Sequence, residues 1–167
     1  MRNASTYGEI TSKGRNQLCE DISKHLTKDS SFIDIGSGYG KLVSHVAENL
    51  NIKSTGIELC EKKHKIALEI NYWSNKRDLI SIQHGNILNN KDLLKNANIL
   101  FANNVLFELE LNNFILNNFS GTIYFMNFIN NKIYKEHINR KWEKLEIDVS
   151  WLKKSSNVYK INTNTNR

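Results

Sequence analysis

Apolar residues recur along this chain in two alternating rhythms. Residues 14–28 carry Leu18, Ile22 and Leu26 at i, i+4 and i+8, the spacing of one helical face. Residues 31–35 form a short apolar run that predicts a strand. Residues 41–50 set Leu42, Val43, Val46, Ala47 and Leu50 along one side of a helix. A second strand is predicted over 54–58. A helix from about 60 to 76 follows, with Ile66, Ile70 and Trp73 on one face. Further strands are predicted over 79–83, 99–102 and 122–127, with a helix at 108–119. Two strands, near 145–151 and 158–163, close the chain. Strands alternating with helices imply an α/β fold with a parallel sheet covered on both faces. The last two strands lack an intervening helix, so they predict an antiparallel edge.

Chemistry concentrates at the end of the first strand. Phe32-Ile33-Asp34-Ile35-Gly36-Ser37-Gly38-Tyr39-Gly40 is an apolar strand, an acid and a glycine-rich turn. Glycines there let the backbone approach a nucleotide-like ligand, and the next helix points its free N–H groups at it. The second strand ends in Glu58, where a carboxylate can accept from ribose hydroxyls. A solvent-facing position is expected for it. The dinucleotide fingerprint needs its third glycine at position 41, which is Lys41; here the third glycine is Gly40. G-x-G-x-G preceded by Asp34 resembles the signature of class I S-adenosylmethionine-dependent methyltransferases. That resemblance implies a Rossmann-like, mostly parallel sheet with an antiparallel edge strand.

Bulk properties narrow the class. The chain has 167 residues, which predicts a single domain over 1–167 with a short N-terminal loop and helix. No apolar run reaches the length of a membrane span, and the N-terminus has no apolar core of a signal peptide. An intracellular protein is expected, with Cys19 and Cys60 as free thiols. The five histidines are scattered, so no metal site is expected. The net charge of +6 and pI of about 9.3 favour an acidic partner such as nucleic acid or chromatin. Basic residues gather in Lys62-Lys63-His64-Lys65, across 132–144 and at Lys153-Lys154. They read equally as solvated faces or as a phosphate-binding patch. There is no proline, and the heavy use of Asn, Lys and Ile matches an AT-rich genome, that of a microbe or a large DNA virus.

Five elements in order narrow the resemblance. They are Thr6-Tyr7-Gly8-Glu9, the Asp34–Gly40 turn, Gly56-Ile57-Glu58, Leu100-Phe101-Ala102-Asn103-Asn104-Val105-Leu106-Phe107, and Val149-Ser150-Trp151. Together they resemble the catalytic core of the disruptor-of-telomeric-silencing family, the histone lysine methyltransferases without a SET domain. The resemblance implies that Tyr7, Gly8 and Glu9 close over the methionine end of S-adenosylmethionine. Asp34, Gly36, Ser37, Gly38 and Lys41 would form the cofactor turn, with Glu58 and the following Leu59 at the ribose. Asn103 would be the active-site amide, contacting cofactor and substrate, and Phe107 and Trp151 walls of a lysine channel. A monomer acting in the nucleus is the expectation that follows, with a histone or nucleosome as substrate and nucleosomal DNA against its basic surface.

Three positions depart from the family pattern. Its Gly-Asp-Phe after the third strand is Gly85-Asn86-Ile87 here, leaving Asn86 to accept from the adenine and Ile87 to pack on the ring. Its loop threonine after Tyr-Gly-Glu is Ile10. Its paired tyrosines near the C-terminus are Val158-Tyr159. Adjacent strand residues face opposite sides, so either Val158 or Tyr159 takes the channel position. The family's larger members carry basic extensions that this sequence lacks, so its folded surface is expected to meet the DNA.

Methyl transfer is an in-line displacement that needs positioning and a neutral amine. An apolar channel lowers a lysine pKa by desolvation, and a neutral amide can orient the amine. The absence of proline excludes the Asp/Asn-Pro-Pro-aromatic and Pro-Cys motifs of DNA methyltransferases. Other substrates stay open: a non-histone protein, an RNA or a small amine. So does a cofactor-binding chromatin protein without catalysis.

Overall fold

The computed structural model describes residues 8–127, 141–152 and 155–163. Its centre is a seven-stranded sheet in the order β3-β2-β1-β4-β5-β7-β6. The strands are β1 (Ser31–Ile35), β2 (Lys53–Glu58), β3 (Ile80–His84), β4 (Ile99–Ala102), β5 (Thr122–Phe125), β6 (Glu143–Ile147) and β7 (Ser156–Asn162). β1 to β5 run parallel, and β7 lies antiparallel between β5 and β6. The helices are α1 (Ser12–Ser23), α2 (Lys41–Leu50), α3 (Glu61–Tyr72), α4 (Asp92–Lys95) and α5 (Leu109–Asn118). Among the described residues, no helix is long and apolar enough to cross a membrane.

Strand alternation sorts the core into two layers. Ile33, Leu100, Ile123 and Phe125 face α4 and α5, packing with Leu94, Ile115 and Leu116. Phe32, Ile99, Phe101 and Tyr124 face the other way, onto Leu18 and Ile22 of α1 and Leu42 and Val46 of α2. Both faces of β4 are covered, which is why it reads as a continuous apolar run.

β1, α2 and β4 have the bounds the apolar pattern predicts. Elsewhere the structure differs, for physical reasons. α1 begins at Ser12 because the Thr11 hydroxyl caps it, accepting from Gly14 N at 3.1 Å. It ends at Ser23 rather than 28. α3 stops at Tyr72 and buries Ala67 and Asn71, leaving Ile70 and Trp73 exposed. Its small face is required by Gly40, whose φ is +73°; a Cβ there would meet the Asn71 amide nitrogen at 2.7 Å. The Asn71 amide also ties to Ser44 Oγ of α2, so a polar seam replaces the expected apolar one. β6 ends at Ile147, and Val149 pairs instead with Ile10 in an isolated antiparallel bridge.

That bridge seats the N-terminal segment on α1 and the 148–150 segment. A Cβ on Gly14 would lie 2.1 Å from the Asp148 carbonyl oxygen. Gly14→Ala is expected to lose about 1–3 kcal/mol by overpacking, despite gaining about 1 kcal/mol of helix propensity. Urea denaturation checks this; a midpoint at or above wild type would contradict the tight seating.

Candidate active site

β1, β2 and β4 end around a cavity of about 400 Å³ lined by Asp34, Glu58, Phe101 and Asn103, among others. It lies where the strand order reverses between β1 and β4, the place where open α/β sheets bind ligands. Its size falls within the range of small-molecule sites, about 300–1,000 Å³.

The glycine turn is held from β2. Gly36 N and Ser37 N donate to the Ile57 carbonyl at 2.9 and 3.1 Å. Glu58 does the rest. One carboxylate oxygen accepts from Gly38 N at 2.7 Å and the other from Cys60 N at 2.8 Å. Glu58 is therefore buried, 7% exposed, and not at the solvent-facing strand end that the pattern suggested. Gly36 has φ +78°, and a Cβ there would point into the cavity, with the Phe107 ring 3.8 Å away. Bulk at this position would occupy the space a ligand needs.

Asp34 lies beside Glu58 in the wall. Burial, and then the negative charge of Glu58, push its carboxyl up to about 8. It is a group held ready to ionise against a cation.

Two adjacent asparagines follow β4 with different partners. Asn104 is buried and fully engaged: its amide nitrogen donates to Asn112 Oδ1 at 3.3 Å and to the Asn127 carbonyl at 3.1 Å, and its oxygen accepts from Asn127 N at 2.7 Å. Asn103 lines the cavity, and its side-chain oxygen is buried without a hydrogen-bond partner among the described residues. A buried acceptor left unmet calls for an explanation.

The outer rim comes from both ends of the described chain. Ser150 N donates to the Glu9 carbonyl at 3.0 Å and Glu9 N to Ser150 Oγ at 3.1 Å. Thr11 Oγ1 donates to the Asp148 carboxylate at 2.5 Å. This clasp packs Gly8 against the Trp151 ring so closely that a Cβ would come within 2.4 Å of it. Lys41 Nζ meets Glu9 Oε2 at 2.8 Å, joining the rim to the start of α2.

Of the sequence-predicted residues, Glu9, Asp34, Gly36, Ser37 and Lys41 line the cavity, as do Glu58, Asn103, Phe107 and Trp151. Gly38 sits behind them on Glu58. Tyr7 lies outside the described residues. Four others do not line this cavity. Asn86 caps the turn after β3, its oxygen accepting from Leu88 N at 3.0 Å, and Ile87 is buried under α4 and α5. Leu59 points outward, 67% exposed. Tyr159 pairs with Phe125 and sits below the Lys144 ammonium, while Val158 is in the core against α1; neither reaches the cavity. Sequence reasoning passed over Arg15, which also lines the cavity. The signal was present: Arg15 falls three and seven residues before Leu18 and Ile22, on the apolar stripe of α1.

Comparison with known proteins decides the family. A sequence profile described as "Histone methylation protein DOT1" matches residues 2–132. The chain belongs to this family. Curated relatives from Emericella nidulans and Aspergillus fumigatus, each named "Histone-lysine N-methyltransferase, H3 lysine-79 specific", are 25% identical over 126 residues. The match covers 69% of this chain but only 25% of those proteins. Among solved structures, an RNA methyltransferase from Salinibacter ruber bound to S-adenosylhomocysteine superposes with a TM-score of 0.70 at 16% identity, over 95% of this chain and 96% of that one. A precorrin-6y C5,15-methyltransferase from Geobacter metallireducens gives 0.67 at 11% identity, over 92% and 90%. The shared fold is the class I methyltransferase fold, an α/β Rossmann-like sheet, as the glycine turn implied.

The Asp34 environment makes a pH signature. A carboxyl whose folded pKa is near 8, against about 3.9 unfolded, stabilises the fold fully only below about pH 4. That contribution is lost as pH rises towards 8, at about 1.4 kcal/mol per unit of pKa. The stability of wild type relative to Asp34→Asn is therefore expected to fall by a few kcal/mol between pH 4 and 9. Denaturant melts of both proteins across that range check it; parallel curves would remove Asp34 from this role.

Proposed function

We propose that this chain is an S-adenosylmethionine-dependent protein-lysine N-methyltransferase, one domain over residues 1–167, acting on a histone core lysine. The observation that carries the reading is the unmet oxygen of Asn103 in a cavity walled by Phe107 and Trp151. The family supports it, and so do the names of the curated relatives.

The residues fit the cofactor. Gly36 leaves open the space that a side chain would fill. Each Glu58 oxygen uses one lone pair on a backbone N–H and keeps another for a ribose hydroxyl. Asp34 can ionise opposite a cationic tail. When bound, S-adenosylmethionine supplies an electrophilic methyl group on a sulfonium.

The chain's own groups do the rest. Lysine in water has a pKa near 10.4 and no free lone pair when protonated. Phe107 and Trp151 desolvate the amine, favouring its neutral form, and the proton leaves to solvent. Asn103 Oδ1 accepts from the amine N–H and aims its lone pair. No side-chain nucleophile takes part, so catalysis rests on positioning.

Incubating the protein with labelled S-adenosylmethionine and nucleosomes, free histones, RNA or small amines tests the class of acceptor. Label on histone lysine is expected; label on RNA or a small amine alone would replace this reading. Asn103→Ala is expected to abolish most of that methylation while cofactor binding stays measurable, because orientation governs rate more than affinity. Full activity in the variant would reduce Asn103 to a strand-end residue.

Chromatin docking is proposed from charge, and a nuclear site of action as a monomer from the family. Lys62 and Lys65 on α3 are exposed, and Lys65 makes only a surface pair with Glu61 at 2.7 Å. Lys141 is exposed too, whereas Lys132, Lys135, Arg140 and the Lys153-Lys154 pair lie outside the described residues. Phosphate contacts release counterions, so activity on nucleosomes should fall steeply with salt. Replacing Lys62 and Lys65 by Gln is expected to reduce activity on nucleosomes more than on free histone. Equal losses on both substrates would count against DNA contact.

A further inference from the structure

The cavity contains one cationic group whose role nothing so far explains. Arg15 projects from the first turns of α1 into the lining. Its Nη1 donates to the Ile10 carbonyl at 2.7 Å, which fixes the guanidinium beside the rim. Its Nε is buried and has no acceptor among the described residues. A charged donor left unmet in a cavity wall is a place for an anionic acceptor. Two lysines also line the cavity, Lys41 and Lys63; Lys41 is paired with Glu9 at 2.8 Å, and both are point charges where Arg15 is a planar fork. Asp34, the remaining buried acid, has no cation acting on it among the described residues: burial, and then the repulsive charge of Glu58, dominate its surroundings. Among the described residues the cavity thus offers an acid without a paired cation and an arginine without a paired anion. An α-amino acid tail carries both charges on one carbon.

We infer that Arg15 is the anchor for the carboxylate of a ligand's amino-acid tail, with Asp34 serving its ammonium. This rests on the cofactor reading above and adds the residue that would distinguish a cofactor with an intact amino-acid end from one without it. Arg15 fits the task as Lys41 does not. A planar guanidinium held at one nitrogen presents its remaining donors in a fixed fork that matches a carboxylate. An alternative partner for Nε is His45 on α2, whose Nε2 is also buried without a partner among the described residues.

The test compares two ligands, S-adenosylhomocysteine and its decarboxylated form, by calorimetry. Wild type is expected to prefer the carboxylate-bearing ligand by about ten- to a hundredfold, the range for a hydrogen bond to a charged group. Arg15→Ala should bind both with the weaker affinity, and Arg15→Lys should restore part of the preference. His45→Ala should keep it. If Arg15→Ala fails to fold by circular dichroism, Arg15→Gln keeps an N–H for the Ile10 carbonyl without the charge and takes its place. The proposal is overturned if the preference survives the loss of Arg15, or if both ligands weaken equally, which would make Arg15 a strut for Ile10. Wild type binding neither ligand is a separate result: it would sink the cofactor reading itself.

Discussion

Everything at this site depends on one buried carboxylate. Glu58 ends β2 and reaches across to the turn that ends β1, accepting from Gly38 N and Cys60 N through its two oxygens. Hydrogen bonds to an ionised acceptor are worth about 1.5–3 kcal/mol each, and these two lie away from water. They hold three elements in register: β1 with its turn, β2, and the start of α3. The left-handed backbone at Gly36 and Gly40 then has a fixed frame, and the cavity has a fixed floor. The charge of Glu58 adds to burial in raising the pKa of Asp34 beside it. One side chain thus ties the fold of the site to its electrostatics.

The roof has a different origin. The segment 9–11 and the segment 148–150 lie far apart in sequence yet pair through backbone, hydroxyl and carboxylate groups. Gly8 and Trp151 meet only because that clasp closes. α1 supports it from below, with Gln17 accepting from Asp148 N at 2.9 Å and Arg15 holding the Ile10 carbonyl. A second tie runs through the sheet's far end, where Lys160 of β7 joins Asp21 of α1 at 3.0 Å and Glu143 of β6 at 3.2 Å. The antiparallel edge and the N-terminal helix are therefore one structural unit with the site's rim, although neither belongs to the parallel sheet.

Paired asparagines after β4 show how one residue type divides between structure and chemistry. Asn104 spends its donors and acceptor on the Asn127 backbone just after β5 and on the Asn112 side chain of α5, fixing the loop. That leaves Asn103 facing the cavity with its oxygen unmet. In a chain so rich in asparagine, composition alone gives neither position any weight.

Much of the fold was legible in the sequence. Short apolar runs bounded by turns fixed β1, β4 and α2 to the residue, and the glycine turn with its two strand-end acids located the site. These are local properties, determined by residues within one or two turns of each other. Contacts across the chain decided the rest. The face α3 buries depends on Gly40 accepting Ala67 and Asn71, so helical periodicity chose the wrong stripe. Whether Val158 or Tyr159 turns inward, and why neither reaches the cavity, depends on the pairing of β7 with β5. The sequence placed Asn86 by analogy; only the folded turn showed its oxygen accepting from Leu88 N. Arg15 was visible as a charge on an apolar stripe, yet only the closing of segment 9–11 onto the 148–150 segment, 137 residues away, gave that charge a cavity to face. Periodicity says which residues share a side; only the packed chain says what that side meets.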